Sequence, residues 1–199
     1  MNDHSQRPVK ELERQAHVIH AGERAIETER PLATLLGSCV AVCLSDLALR
    51  IGGINHFMLP SISHGSNGLV DTLLAGDYAM ESLVNALLAR GARKSRLHAK
   101  AFGGGSIVNV SGDRAQNIGQ QNVEFTRGWL QREGIPLLAS DFLGPWSRKV
   151  LFLPGSGEVW CRRAPTSMTT AADLAREEAN YAAKLAAKQN SAAKRIELF

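Results

Sequence analysis

The stretch GSCVAVCLSD, Gly37 to Asp46, and the stretch LRIGGINHFML, Leu49 to Leu59, decide the fold of this chain. β-Branched and small apolar residues dominate both, and the second stretch stops at a proline, so the pattern favours strands. We predict one strand over Leu35 to Leu44 and another over Leu49 to Leu59. The link between them is short, which indicates a β-hairpin.

A cysteine and a histidine face each other across this predicted hairpin. With a two-residue loop, Leu47-Ala48, strand pairing sets Cys39 directly opposite His56. Directly opposed residues share a face, with Cβ atoms roughly 4.5–5.5 Å apart. That separation suits a nucleophile pair in which the imidazole takes the thiol proton. A register shift of one residue would instead place the two side chains on opposite faces.

Other roles for Cys39 are open from its position alone. A cysteine within an apolar strand is commonly a small core residue. A zinc site built from Cys39, Cys43 and His56 is the other alternative. Two cysteines four residues apart on one strand are separated by roughly 13 Å, and both cannot reach one ion. We therefore expect no metal at this position and no cofactor.

The composition describes an ordinary soluble domain. The chain has 199 residues, of which 44% are apolar and 21% are charged, enough to form a single core. Its three cysteines are too sparse for a disulfide scaffold, so free thiols are expected. No apolar run approaches the ~18 residues of a membrane span, and the N-terminus lacks a signal-peptide pattern. We expect a cytoplasmic protein without membrane insertion.

The charge pattern argues against nucleic acid as a partner. The net charge of +4 is small, and the densest basic stretch is Arg90 to Lys100. No aromatic residues are interleaved with these charges, and no nucleic-acid-binding motif accompanies them. This stretch is typical of a solvated helix end, with a docking patch for an acidic partner as the sharper alternative.

The remaining pattern predicts two helices and several strands around the hairpin. Apolar residues recur at helical spacing from Asp71 to Arg90, and a second helix is predicted from Ile118 to Glu133. The further strands are predicted at His17–Gly22, Leu97–Phe102, Pro136–Ser140, Lys149–Leu153 and Val159–Arg162. We expect a flexible N-terminus over residues 1–16, one domain over 17–163, and a linker with an accessory Ala-rich helix over 164–199.

Several motifs resemble one protein family. TLLGSCVAVCLSD, Thr34 to Asp46, followed by GGINHFMLP, Gly52 to Pro60, is similar to the signature of CheD, the chemoreceptor glutamine deamidase. The segments AKAFGGGS, Ala99 to Ser106, and IGQQN, Ile118 to Asn122, extend the similarity. The resemblance covers about residues 17–163 and leaves the C-terminal tail unexplained.

The resemblance implies both a fold and a site. The implied fold is α+β, a layered sandwich of mostly antiparallel or mixed β-sheets flanked by two or more α-helices, shared with glutamine-deamidating toxins. The implied catalytic residues are Cys39, His56 and Thr34, in which the Thr34 hydroxyl accepts a hydrogen bond from the far ring nitrogen of His56. Gly37 and Ser38 would let backbone N–H groups approach the substrate and its oxyanion.

The implied reaction is acyl transfer from glutamine to a cysteine. The thiolate would attack a glutamine side chain on the cytoplasmic helices of a methyl-accepting chemotaxis receptor, and water would hydrolyse the thioester to leave glutamate. This makes the chain a protein-glutamine glutaminase. The alternative is a non-catalytic chemotaxis adaptor that binds receptors or a CheC-type phosphatase.

Overall fold

The computed structural model describes residues 8–59, 68–106, 114–165, 172–184 and 187. Over these residues the chain forms two sheets and four helices. The strands are β1 His17–Val18, β2 Arg24–Glu27, β3 Leu32–Leu36, β4 Val40–Asp46, β5 Ile51–Phe57, β6 Leu97–Gly103, β7 Leu137–Phe142, β8 Trp146–Leu153 and β9 Glu158–Pro165. The helices are α1 Val9–Gln15, α2 Gly68–Leu88, α3 Arg114–Arg132 and α4 172–184.

The nine strands divide between two sheets of mixed direction. The first sheet has the order β1-β3-β8-β9 and the second β2-β5-β4-β6-β7. The β1–β3 and β6–β7 pairs are parallel, and the other pairs are antiparallel. The two sheets stack face to face with helices outside them. The predicted α+β layered sandwich of mixed sheets and flanking helices is confirmed.

Among the described residues, three apolar clusters fill the spaces between the layers. One lies between the second sheet and helices α2 and α3, and a small one lies between α1 and the outer face of the first sheet. The third fills the space between the two sheets, so the residues that line it belong to both of them. Its members include Leu32, Leu36, Val150 and Phe152 from the first sheet, and Ala41, Cys43, Ile54 and Phe102 from the second.

The single strand predicted over Leu35 to Leu44 is wrong, because the chain changes sheets within it. Strand β3 ends at Leu36 in the first sheet, and β4 begins at Val40 in the second. The three residues between the strands, Gly37 to Cys39, carry the chain across the sandwich. An unbroken apolar pattern does not reveal this crossing, since each of the two strands is buried.

The predicted two-residue hairpin loop is also wrong. Strand β4 pairs with β5 through Asp46 opposite Ile51, so the connection is the four residues Leu47 to Arg50. The buried Asp46 carboxylate accepts a hydrogen bond from the Leu49 N–H at 3.2 Å, and Arg50 has a positive φ of 55°. The register therefore differs by two residues from the predicted one. A shift of two preserves which side chains share a face.

Other elements differ from expectation at the N-terminus and agree in the middle of the chain. The described residues of the segment expected to be flexible include α1, where Leu12 is fully buried against the first sheet. Strand β2 was not predicted and pairs with β5 at the edge of the second sheet.

The two predicted helices correspond to α2 and α3. The predicted linker lies largely outside the described residues, and α4 falls within the predicted accessory segment.

Within the described ranges, no helix combines the length and apolar character that crossing a bilayer requires.

Candidate active site

Cys39 lies at the crossing between the two sheets. It immediately precedes β4, it is 1% exposed, and it packs in the cluster between the sheets. Ala41 is the residue directly opposite His56, and the pairing ends at Val40 opposite Phe57, so Cys39 lies just beyond the paired part of the hairpin. The Cys39 side chain packs between the sheets, the layer in which His56 meets Thr34. The predicted direct opposition is wrong, but both side chains face the layer between the two sheets.

His56 and Thr34 meet across the sandwich. His56 belongs to β5 in the second sheet and Thr34 to β3 in the first, and both side chains are buried. The Thr34 Oγ1 lies 2.9 Å from the His56 Nδ1 and also 2.9 Å from the carbonyl oxygen of Ile19. A carbonyl can only accept, so the hydroxyl proton is committed to Ile19.

This arrangement determines the tautomer of the imidazole. With its own proton donated to Ile19, the Thr34 oxygen accepts from His56, and the ring proton is therefore on Nδ1. The Nε2 atom keeps its lone pair and is available as a base. Burial lowers the pKa of His56 to about 4, so the ring is neutral near pH 7.

The thiol is neutral in this state as well. Burial raises the pKa of the Cys39 thiol well above its usual value, and the carboxylates of Glu178 and Glu177 raise it further. The structure thus holds a neutral thiol and a neutral imidazole, not a preformed thiolate and imidazolium.

A glycine-rich loop, Gly103 to Gly105, holds the backbone from Gly37 to Cys39. The N–H of Gly104 donates to the Cys39 carbonyl at 2.9 Å, and that of Gly105 donates to the Gly37 carbonyl at 2.7 Å. Gly103 has a φ of 125°, and a Cβ there would lie 2.1 Å from the Cys39 carbonyl oxygen. Only glycine permits this approach. The loop forms a wall of the site, and it holds Gly37 in place.

Asn122 of α3 is a further residue at this wall, and the sequence did not single it out for a role. It is fully buried, and its amide donates to the Ser38 carbonyl at 2.9 Å while its oxygen accepts from the Leu59 N–H at 2.7 Å. Because a peptide unit is planar, fixing the Ser38 carbonyl also fixes the direction of the Cys39 N–H. Its place in the IGQQN segment was the available signal.

Ser38 makes its principal polar contacts with the C-terminal helix. The Glu178 carboxylate of α4 accepts hydrogen bonds from the Ser38 N–H and from the Ser38 hydroxyl, both at 2.8 Å. The same carboxylate raises the pKa of the neighbouring Cys39 thiol. The structure therefore brings a carboxylate from the tail into contact with the predicted substrate-binding serine, next to the predicted nucleophile.

Two further residues of α4, Glu177 and Tyr181, contact the segment before β2. Glu177 accepts a hydrogen bond from the Ala21 N–H at 3.0 Å and lies 3.2 Å from the His20 Nδ1. The ring of Tyr181 lies against Gly22, where a Cβ would be 2.5 Å from the ring. None of these contacts was predicted, since the tail has only a thin apolar stripe and no recognisable motif.

The other cysteines and the neighbouring Asn55 lie apart from the reacting groups. Cys43 is buried in the cluster between the sheets, and Cys161 packs against that cluster, where burial raises its pKa to about 11. In the described part of the chain, all three cysteines are free thiols and no group of histidine, cysteine and carboxylate side chains has the arrangement of a metal site. Asn55 faces α2, away from His56, through a hydrogen bond to the Ala79 carbonyl at 3.1 Å.

Comparison with known proteins identifies similar chains. The family model described as CheD chemotactic sensory transduction matches residues 58–163. The "Probable chemoreceptor glutamine deamidase CheD 2" of Dechloromonas aromatica is 65% identical over 99% of this chain and 100% of its own length. A protein of the same name from Burkholderia thailandensis is 42% identical over 96% of each chain. The "Probable chemoreceptor glutamine deamidase CheD 1" of Shewanella oneidensis is 44% identical over 79% of this chain and 76% of its own.

Proposed function

Because the chain belongs to the CheD family, we propose that it hydrolyses glutamine side chains of chemoreceptors to glutamate, with Cys39 as the nucleophile. The relatives that match over nearly the whole chain carry this activity in their names. One structural observation supports the assignment to these residues most strongly. The hydrogen-bonded series from His56 through Thr34 to the Ile19 carbonyl leaves the Nε2 of His56 as a base, and Cys39 packs in the same layer between the two sheets.

The first step is attack on the glutamine side chain. The Nε2 of His56 takes the thiol proton as the sulfur of Cys39 bonds to the amide carbon, and the carbonyl oxygen becomes an oxyanion. A neutral imidazole is the form that this step requires, and the low pKa of His56 supplies it near pH 7. Thr34 keeps the ring in the correct tautomer while the ring becomes charged, as the carboxylate does in other triads.

The oxyanion requires N–H donors that already point at it. The N–H of Ser38 is one such donor, since it binds a carboxylate oxygen of Glu178 in the structure. The N–H of Cys39 is the second, and the contact of Asn122 with the Ser38 carbonyl holds its direction. Gly37 allows the glycine-rich loop to pack closely behind these donors.

Collapse of the intermediate releases ammonia. The proton on His56 moves to the departing amide nitrogen as the carbon–nitrogen bond breaks, which leaves a thioester on Cys39. Water then attacks the thioester, His56 takes its proton, and the carbon–sulfur bond breaks to give glutamate and the free thiol. Every proton transfer in this sequence of steps is assigned to His56.

The partners follow from the substrate. The receptor side chains are presented on cytoplasmic signalling helices, so the protein acts in the cytoplasm and contacts a helix. A CheC-type phosphatase as a second partner stays a prediction from the family resemblance. A purely non-catalytic adaptor has no need for the Thr34–His56–Cys39 arrangement, and for that reason we favour the enzyme.

Mass spectrometry of receptor fragments tests this proposal. A purified cytoplasmic receptor fragment incubated with the wild-type protein is expected to show glutamine converted to glutamate at defined positions. The Cys39→Ala variant should fold normally, because sulfur is replaced by hydrogen at a site with little room, and should give no conversion. Equal conversion by the wild type and by Cys39→Ala would refute the assignment, and conversion by neither would favour the adaptor.

A further inference from the structure

Helix α4 presents one face to the site, and that face contains two carboxylates. Leu174, Glu177, Glu178 and Tyr181 have the spacing i, i+3, i+4, i+7, which places them on a single face of a helix. Leu174 is 3% exposed, and Tyr181 packs against the cluster between the sheets. The two glutamates thus lie within the buried stripe of the helix, where apolar residues are the usual occupants.

The contacts of Glu178 match those that the reaction's product would make. Its Oε1 accepts from the Ser38 N–H, and its Oε2 accepts from the Ser38 hydroxyl. A glutamine side chain has the same shape, with a carbonyl oxygen that can take the first contact and an amide that can donate to the hydroxyl oxygen in the second. The same position therefore fits the carboxylate of a glutamate product and the carboxamide of a glutamine substrate.

The adjacent Glu177 defines a second contact next to the first. Its carboxylate binds the Ala21 N–H and approaches His20, while the Tyr181 ring covers Gly22 one turn further along the helix. Glu177 and Tyr181 therefore add contacts that hold α4 beside Ser38.

The same contacts keep the nucleophile unreactive. Tyr181 of α4 packs against the cluster that contains Cys39, and the two carboxylates of the helix place negative charge near a thiol that must ionise in order to attack. Because the helix belongs to the same chain, its effective concentration at the site is high, and a few hydrogen bonds suffice to keep it there.

We propose that α4 is a tethered inhibitor that occupies the substrate groove as a helical product analogue, with Glu178 in the place of the product glutamate. The description of Glu178 as a product analogue rests on the proposed deamidase function. A receptor helix must displace α4 before its glutamine can reach Cys39.

Alkylation of Cys39 in the full-length protein tests the occupancy independently of catalysis. The rate of modification by iodoacetamide is followed by peptide mapping for the wild type, for Glu178→Ala and for Arg176→Ala. Arg176 lies on the same helix, 75% exposed, where it pairs with Asp173 at 3.0 Å, so it serves as a matched control. We expect alkylation of Cys39 to be about tenfold faster in Glu178→Ala, since two charge-assisted hydrogen bonds are lost, and unchanged in Arg176→Ala.

Turnover of a short helical glutamine peptide by the same variants separates this inference from the proposed function. Faster alkylation together with a lower KM in Glu178→Ala supports the inhibitor. Equal alkylation rates in Glu178→Ala and the wild type overturn it, even when both proteins deamidate the peptide. Faster alkylation without deamidation by any variant leaves α4 as the occupant of the groove and refutes the deamidase instead.

Discussion

The two ends of the β4–β5 hairpin both hold buried polar groups, but different partners satisfy them. At the turn, the Asp46 carboxylate is fully buried and accepts hydrogen bonds from Arg96 at 2.7 to 3.0 Å and from the backbone of Arg93 at 3.1 Å. At the opposite end, Ser38, the neighbour of Cys39, has a carboxylate of α4 as its partner. The buried carboxylate at the turn finds its hydrogen-bond partners within the domain, whereas the polar groups of Ser38 find theirs on α4, a helix of the tail.

This difference distinguishes a structural charge from a functional site. The partners of Asp46 lie on neighbouring parts of the same sheet and its connections, and they are present whenever the domain is folded. The partner of Ser38 is a side chain that, under the proposal for α4, a substrate replaces, which leaves free the proposed nucleophile and its N–H donors. Substitutions at the turn should therefore change stability, and substitutions at the site should change turnover.

Replacing Asp46 should produce the largest change in stability. Asp46→Ala leaves Arg96 without its partner and two backbone N–H groups without their acceptor, so we expect the free energy of unfolding to fall by about 3 kcal/mol. Turnover per folded molecule should be unchanged. Hydrogen bonding to Arg96 lowers the pKa of Asp46, so its contribution is complete above the unfolded pKa of about 4 and is lost as the pH falls through the folded value.

Urea denaturation provides the measurement, and the exposed pair between Lys94 and Glu133 provides the control. Lys94→Ala breaks an ion pair of 2.6 Å at the surface and should cost less than about 1 kcal/mol. A loss in Asp46→Ala as small as that of the control, or a loss of turnover in a folded Asp46→Ala protein, would contradict the distinction between the two ends.

Replacing Thr34 should change turnover more than stability. Thr34→Ala removes the hydrogen-bond acceptor of the His56 Nδ1, so the imidazole ring can adopt either tautomer. We therefore expect kcat to fall by about 10²-fold, within the range of impaired acid–base catalysis. The unfolding free energy should fall by about 1 kcal/mol for the lost hydrogen bonds. Thr34→Ser keeps the hydroxyl and should retain much of the activity. Wild-type kcat in a stable Thr34→Ala protein would remove Thr34 from the site.

The sequence predicted the faces of the hairpin better than its register. The faces are unchanged because the true loop is longer by two residues, an even number, so Cys39 and His56 both face the layer between the sheets. The loop length itself was not predictable, since it depends on hydrogen bonds from Asp46 to backbone at Leu49 and to residues about fifty positions away. A local pattern does not encode such distant partners.

The parts of the site that the sequence missed are those formed between elements. The division of Leu35 to Leu44 between two sheets is invisible to hydrophobic periodicity, because both strands are buried. The contacts of Asn122 and Glu178 with Ser38 join residues 84 and 140 positions apart. Neither residue stands in a motif whose chemistry specifies its role, so only the assembled fold places them beside Cys39.

A glutamine introduced at position 178 gives the sharpest test of deamidation by Cys39, because the substrate is then already in the site. In the Glu178→Gln variant the carboxamide lies against Ser38, next to Cys39, and we expect its hydrolysis within the chain to restore the wild-type sequence and mass. The reaction should be first order and independent of protein concentration, and it should be absent when Cys39→Ala is combined with Glu178→Gln. Persistence of the introduced glutamine in a folded Glu178→Gln protein with Cys39 intact would contradict the account.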